Sequence, residues 1–162
     1  MELFVIRHAI AVPGSMLLAD ADRPLSPKGR MRFSQAVMGL QRLKIRFDRL
    51  YHSPWLRAVE TAELLAPVLD GKAVGSPALA RAPSQDVLAV LVGERVALVG
   101  HEPWIGELVA WLTTGTPPDG SVFAFKRGGV AWLEGQPQPG RMVLQAFLPP
   151  KVLRQLGEGA AR

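Results

Sequence analysis

Two short and unbroken apolar runs, residues 3–6 (LFVI) and 96–99 (VALV), constrain the fold of this chain more than any other feature. Apolar runs of this length without alternation are typical of strands buried on both faces, as in a parallel sheet covered by helices. Arg7 and His8 directly follow the first run, and Gly100 and His101 follow the second. The two runs therefore predict an α/β fold with a parallel sheet at its centre.

Helix starts marked by proline lie between the predicted strands, as an α/β arrangement requires. Ser26 and Pro27 combine an N-cap residue with proline at the first helical position, and they predict a helix to about residue 43. Ser53 with Pro54 repeats this pattern. Further elements are expected as follows: weak strands at 49–51 and 73–74, a short helix at 85–91, and a helix from Pro103 to about 112.

The last third of the chain has a different pattern, in which glycine-rich turns separate apolar segments. Residues 122–126, 130–133 and 142–148 predict strands of a meander that closes one side of the sheet. Residues 151–162 predict a short C-terminal tail, helical at most. We expect residues 1–150 to form a single domain, a three-layer α/β sandwich with a mostly parallel central sheet and helices on both faces.

Composition narrows the class of protein. The 162 residues include no cysteine, which excludes disulfides and thiolate metal sites. No apolar run approaches the ~20 residues of a membrane span, and no signal peptide is recognisable, so we expect a cytoplasmic monomer without a membrane partner. The net charge of +5 fits an anionic substrate or an acidic protein partner. Because the basic residues are scattered and aromatic residues make up only 7%, we expect no nucleic-acid partner.

Polar residues follow three of the predicted strands. Arg7 and His8 follow the first strand, His52 follows the second with Arg57 one helical turn later, and His101 follows the run at 96–99. Ligands of open α/β sheets bind beyond the carboxyl ends of the strands, where helix N-termini also offer free N–H groups. Arg7, His8, Arg57 and His101 therefore predict a site for a dianionic phosphoryl group. Taken singly, each has a simpler explanation as a surface residue or a helix start, and His52 is more simply a packing residue at the rim.

Four short motifs follow one another between residue 3 and about residue 112. They are RHA at 7–9, RPLS with Gly29 at 23–29, SPWLRA with TA at 53–62, and GHEP at 100–103. Each motif alone is weak, but the ordered set resembles the histidine phosphatase superfamily, and within it the short SixA-type phosphohistidine phosphatases. This resemblance implies the phosphoglycerate-mutase-like fold, in a minimal version without the large helical insertion of longer members.

The resemblance also implies a role for each matched residue. His8 would be the nucleophile, which attacks phosphorus in line and holds the phosphoryl group covalently until water hydrolyses it. Arg7 and Arg57 would bind the equatorial oxygens, with His101 as a further phosphate ligand. Arg23 would be an additional contact at the rim. No metal or other cofactor is implied, because arginine supplies the neutralising charge.

The segment after the third predicted strand departs from the larger members of the superfamily, which carry an acidic proton donor there. Residues 78–86 offer only Asp86, and Ser84 to Asp86 resemble a helix cap and first turn. Glu102 is expected to cap its helix or to orient a neighbour. An alkoxide depends on an acid to leave, whereas a protonated phosphohistidine can leave as neutral imidazole. The resemblance therefore implies a metal-independent phosphatase that acts on a histidine-phosphorylated protein of a phosphorelay or phosphotransferase system.

The sequence leaves three alternative functions open. A small-molecule phosphomonoesterase could use the same scaffold, with Asp86 as its acid. A non-catalytic phosphate-binding module would keep the arginines without turnover. A nucleic-acid binder would show steep salt dependence with bulk DNA.

Overall fold

A six-stranded sheet forms the centre of the structure, a computed structural model that describes residues 1–116 and 123–159. The strands are β1 (Glu2–Arg7), β2 (Arg49–His52), β3 (Ala73–Gly75), β4 (Arg95–Gly100), β5 (Val130–Gly135) and β6 (Met142–Leu148). The helices are α1 (Pro27–Arg42), α2 (Leu56–Leu64), α3 (Gln85–Ala89), α4 (Trp104–Thr114) and α5 (Pro150–Glu158). Three short 3-10 turns cover Asp20–Asp22, Ala66–Val68 and Pro77–Ala80.

The sheet is mixed, with strand order β3-β2-β4-β1-β5-β6. The pairs β1–β4, β2–β4 and β2–β3 are parallel. By contrast, β5 runs antiparallel to β1, and β6 runs antiparallel to β5. This confirms the expected sheet, in which an antiparallel hairpin closes one side of a parallel arrangement. Because β1, β2 and β4 are parallel, their carboxyl ends meet at one edge.

Helices cover both faces of the sheet, as expected. Alternate residues of β1 point to opposite cores: Phe4 and Ile6 pack beneath α1, α2 and α5, and Leu3 and Val5 pack against α3 and α4. All four side chains are fully buried. A strand that contributes to two cores has no solvent-facing side, which explains its unbroken apolar run.

The start of α1 is fixed against the loop that follows β1. Ser26 is the N-cap, and its Oγ accepts a hydrogen bond from the Gly29 N–H at 3.0 Å and donates one to the Ile10 carbonyl. A Cβ on Gly29 would lie 2.0 Å from that carbonyl oxygen. Glycine at this position therefore allows α1 to approach the loop behind His8 closely.

Two segments differ from the sequence prediction. The predicted strand at 122–126 is wrong for residues 123–126, which are irregular, while Val122 lies outside the described residues. The reason is tertiary: the Phe125 N–H donates to Glu102 and its carbonyl accepts from Arg7, both distant in the sequence, so this backbone is not available for strand pairing. At the C-terminal end, α5 packs along α1 with Leu153 fully buried, a tighter association than the tail composition indicates.

None of the helices in residues 1–116 and 123–159 combines the length and apolar character that crossing a membrane requires.

Candidate active site

One cavity of about 320 Å³ lies where β1, β2 and β4 end. Every residue that the sequence assigned to a site lines it: Arg7, His8, Arg23, Arg57 and His101. The wall also includes residues to which the sequence analysis gave no place in the site: Asp20, Trp55, Glu102, Trp104 and Arg127. Four arginines against two carboxylates leave an excess of positive charge, which suits a dianionic ligand.

His8 lies at the end of β1 with its ring held in one orientation. Its Nδ1 lies 2.7 Å from the carbonyl oxygen of Ala9, which can only accept, so Nδ1 carries the proton and Nε2 holds the lone pair. Burial lowers the pKa of His8 to about 3, and the charges of Arg57, Arg7 and Arg127 act in the same direction. His8 is therefore neutral at physiological pH, with a lone pair on the outward nitrogen, Nε2.

Arg57 lies in the first turn of α2 and contacts that nitrogen. Its Nε donates to His8 Nε2 at 3.2 Å, and its two Nη atoms donate to Asp20, one to the carbonyl oxygen and one to Oδ2 at 2.9 Å. The guanidinium lies 4.6 Å from the centre of the Trp55 ring, a cation–π contact. These contacts orient a buried guanidinium beside the imidazole.

Thr61 joins the strand of His8 to the helix of Arg57. Its Oγ1 accepts from the Ala9 N–H at 3.0 Å and donates to the Arg57 carbonyl at 2.6 Å. Thr61 is fully buried, so the Ala9 N–H depends on this hydroxyl for its hydrogen bond. One side chain thus links the backbone beside His8 to the backbone of Arg57.

Arg7 is fixed on the opposite side of the cavity through Phe125. Its Nη1 donates to the Phe125 carbonyl, and the Phe125 N–H donates to Glu102 Oε1 at 3.0 Å. Glu102 Oε2 accepts from the Gly106 N–H in the first turn of α4. Glu102 therefore both caps its helix and orients a neighbouring segment. Burial raises the pKa of Glu102, against the opposing effect of these backbone hydrogen bonds.

His101 lies at the end of β4, with its ring centre 5.0 Å from that of His8 and 4.5 Å from that of Trp55. It is 3% exposed, and neither ring nitrogen has a hydrogen-bond partner among the described residues. Burial lowers its pKa to about 3, with smaller contributions from His8 and Arg57. A neutral, buried imidazole of this kind offers one donor and one acceptor to a ligand in the cavity.

Arg23 and Asp20 form the outer wall. Arg23 donates through Nε to the Val12 carbonyl at 3.0 Å and through Nη1 to Asp20 Oδ1 at 2.6 Å. The hydrogen bonds from Arg23 and Arg57 lower the pKa of Asp20. Asp20 is therefore ionised and held between two arginines.

Two residues named by the sequence lie elsewhere. Asp86 pairs with Arg81 at an exposed position, follows the Ser84 cap of α3, and does not line the cavity. His52 also lies outside the cavity lining, with Nδ1 2.9 Å from the Ser53 carbonyl oxygen. Within the described ranges, no three His, Asp or Glu side chains group as a metal site requires.

Arg127 is a residue that the sequence analysis missed. It precedes Gly128, whose N–H lies 3.0 Å from the Arg7 carbonyl oxygen and 3.2 Å from that of His8. The signal in the sequence is the Lys-Arg-Gly-Gly turn before β5. Its relevance depends on the pairing of β5 with β1, which the sequence did not assign.

Known proteins resemble this chain in sequence. A family profile described as histidine phosphatase superfamily (branch 1) matches residues 3–80. The chain is 31% identical over 128 residues to the phosphohistidine phosphatase SixA of Escherichia coli K12, covering 73% of this chain and 78% of that protein. It is 35% identical over 115 residues to an uncharacterized protein of Picosynechococcus, covering 66% and 70%.

A solved structure has the same fold as this chain. The structure of the protein histidine phosphatase SixA complexed with tungstate matches with a TM-score of 0.79 and 27% identity, over 94% of this chain and 99% of the other. The fold is thus the phosphoglycerate-mutase-like fold of SixA. Sequence motifs, fold and relatives lead to one assignment: this chain belongs to the histidine phosphatase superfamily.

Proposed function

We propose that this protein is a metal-independent phosphatase that hydrolyses phosphohistidine on a protein, through a covalent phosphohistidine on His8. The observation that carries the proposal is a neutral imidazole with its Nε2 lone pair in a cavity lined by four guanidinium groups. Membership of the superfamily and likeness to SixA support phosphatase activity. A phosphorelay or phosphotransferase-system protein in the cytoplasm fits as the partner.

The first chemical step transfers the phosphoryl group to His8. Nε2 attacks phosphorus as the bond between phosphorus and the substrate nitrogen breaks, and the substrate leaves as neutral imidazole when its other nitrogen is protonated. The Nδ1 proton of His8 stays hydrogen-bonded to the Ala9 carbonyl. The phosphorylated His8 is therefore itself protonated, so it is a good leaving group in the second step. Water then attacks phosphorus and releases inorganic phosphate, the water proton passing to the phosphate or to solvent.

The arginines stabilise the charge of the transferring group. Arg57 exchanges its contacts with His8 and Asp20 for phosphoryl oxygens, and Arg7 presents its side chain from the other side of the cavity. Such donors, fixed before reaction, act where negative charge is spread over the equatorial oxygens. His101 supplies a neutral N–H to the same oxygens.

The carboxyl groups near the cavity favour a substrate whose leaving group needs no acid. Asp20 is held ionised by two arginines, and both oxygens of Glu102 accept backbone N–H groups. Asp86 lies outside the cavity. This supports phosphohistidine over alkyl phosphates. One observation favours the small-molecule phosphomonoesterase instead: the pKa of Glu102 is raised, as that of a general acid would be.

A leaving-group series separates the two functions. We would measure kcat/KM for phosphoramidate, aryl phosphates and glycerol phosphate at one pH, with the wild type, Glu102→Gln, and Asp86→Asn as the matched control. We expect a steep dependence on leaving-group pKa that keeps its slope in both variants. A flat series in the wild type that becomes steep in Glu102→Gln would identify Glu102 as the acid and assign the protein to phosphomonoesters.

A further inference from the structure

A second, larger cavity of about 730 Å³ adjoins the active site. It lies between α1, the segment before β5 and the start of α5, and it shares Arg7 and Arg127 with the active-site cavity. We call it the basic groove. Its cationic residues are Arg7, Arg32, Lys126, Arg127, Lys151 and Arg154.

The basic groove accounts for the net charge of the chain. Among residues 1–116 and 123–159, no Asp or Glu residue lines it. Six of the 19 Lys and Arg residues of the chain lie there, and the remaining 13 nearly balance the 14 Asp and Glu residues. The fold therefore gathers six basic residues that are scattered in the sequence on one surface beside the active site.

These cations have no anionic partners within the described residues. The side chains of Arg32, Lys126, Arg127, Lys151 and Arg154 form no ion pair there, whereas six of the 12 described Lys and Arg residues outside the groove do: Arg23, Arg30, Arg46, Arg57, Arg81 and Arg95. Like charges held close together repel and destabilise the folded chain. Such an arrangement is favourable when an external anion neutralises it.

We propose that the basic groove is the docking surface for an acidic face of the protein substrate, next to its phosphohistidine; this proposal rests on the proposed function. The lining mixes cations with the apolar side chains of Ile10, Phe147 and Val152, a combination that suits a protein surface of acidic and apolar residues. Lys126, Arg127 and Lys151 are exposed, so a protein surface can reach all three side chains.

The position of the groove gives it a role in catalysis. Because Arg7 and Arg127 line both cavities, a protein that inserts a phosphohistidine beside His8 covers the groove with the surface around that residue. Complementary charge then raises the association rate, an effect that salt weakens. Small substrates gain nothing from the groove. Loss of the groove's positive charge should therefore lower the rate on protein substrates and leave the rate on small substrates unchanged.

The test uses phosphohistidine peptides of one length, flanked either by Glu and Leu or by Lys and Leu, together with free phosphohistidine. The groove variant is Lys126→Glu with Lys151→Glu, both at exposed positions. The matched control is Lys44→Glu with Lys72→Glu, two exposed lysines that do not line the groove. Binding of the unphosphorylated peptides is measured by fluorescence anisotropy, which needs no turnover.

For the wild type and the control variant, we expect kcat/KM about tenfold or more higher for the acidic peptide than for the basic one. The groove variant should lose this preference and keep its rate on free phosphohistidine. Equal rates for the two peptides in the wild type, or a preference that survives in the groove variant, would overturn the docking proposal.

Measurements of binding and of turnover also separate the docking proposal from the proposed phosphatase function. Binding of the acidic peptide that depends on the groove, without hydrolysis of any phosphohistidine substrate, would refute the proposed function and support the docking surface. Binding of inorganic tripolyphosphate that depends on Lys126 and Lys151, with no binding of the acidic peptide, would assign the groove to small polyanions and overturn the proposal.

Discussion

The Asp20 carboxylate lies 2.9 Å from Nη2 of Arg57, so an anion from the chain itself is bonded to the guanidinium that is expected to bind the phosphoryl group. The side chain of Asp20 is 56% exposed, and the 3-10 turn Asp20–Asp22 that carries it lies at the surface. A carboxylate so placed competes with phosphate for the same N–H groups. We therefore expect phosphate binding to displace Asp20 from Arg57.

Asp20→Asn is expected to strengthen inhibition by vanadate about two- to fivefold, because an exposed ion pair is worth up to about 1 kcal/mol. Asp22→Asn is the matched control, with the same change of charge in the same turn and no contact with the cavity. The measurement is the inhibition constant of vanadate in the three proteins. Weaker inhibition of Asp20→Asn would show that Asp20 orients Arg57 rather than competing with the ligand.

Arg57→Lys is expected to lower kcat/KM a hundredfold or more. An ammonium group cannot reproduce the fork that contacts His8 and Asp20 at once, and loss of one fixed donor costs about 3–4 kcal/mol of transition-state stabilisation. Arg23→Lys, the same change at the outer wall, should have a clearly smaller effect. If Arg57→Lys stays within about threefold of the wild type, Arg57 does not bind the transferring group.

Thr61→Val is expected to lower kcat about tenfold or more with little change in KM, since it releases the link between His8 and Arg57. It also leaves the buried Ala9 N–H without a partner, at a cost of about 1–3 kcal/mol in the free energy of unfolding. Thr61→Ser keeps the hydroxyl and should restore kcat. Steady-state kinetics and urea unfolding of both variants check this; a Thr61→Ser enzyme as slow as Thr61→Val would exclude the positioning role.

The free energy of unfolding is expected to fall as the pH falls from about 6.5 towards 3. In this window the unfolded chain binds protons at His8 and His101 that the folded chain does not, because burial lowers both pKa values to about 3. Each histidine contributes about 1.4 kcal/mol per pH unit. Urea unfolding between pH 7 and pH 4.5 should give a clearly smaller slope for His8→Asn with His101→Asn than for the wild type. An identical slope would mean that both histidines bind protons in the folded protein as readily as in the unfolded chain.

Much of the site follows from local sequence, because Arg7, His8 and His101 lie at the carboxyl ends of strands with unbroken apolar runs. Parallel pairing of β1 and β4 is sufficient to place these residues at one edge. Arg57 is found for a similar reason, since it lies in the first turn of the helix that follows β2.

Asp20 and Arg127 could not be assigned in this way. Their positions depend on contacts between distant segments: Asp20 is held by Arg57, and Arg127 precedes Gly128, which donates to the carbonyls of Arg7 and His8. The structure of the segment at 123–126 also depends on contacts with distant segments. Its composition resembles a strand, but the backbone hydrogen bonds of Phe125 go to Glu102 and Arg7.

The central claim is that His8 carries the phosphoryl group during turnover. Phosphohistidine is stable in alkali, so the most direct measurement is an alkaline quench of the enzyme within milliseconds of mixing with phosphoramidate, followed by mass spectrometry of its peptides. We predict a phosphoryl group on His8, formed and lost at rates that match turnover, and none in His8→Asn. Phosphorylation of His101 in its place, or full turnover by His8→Asn, would contradict the account.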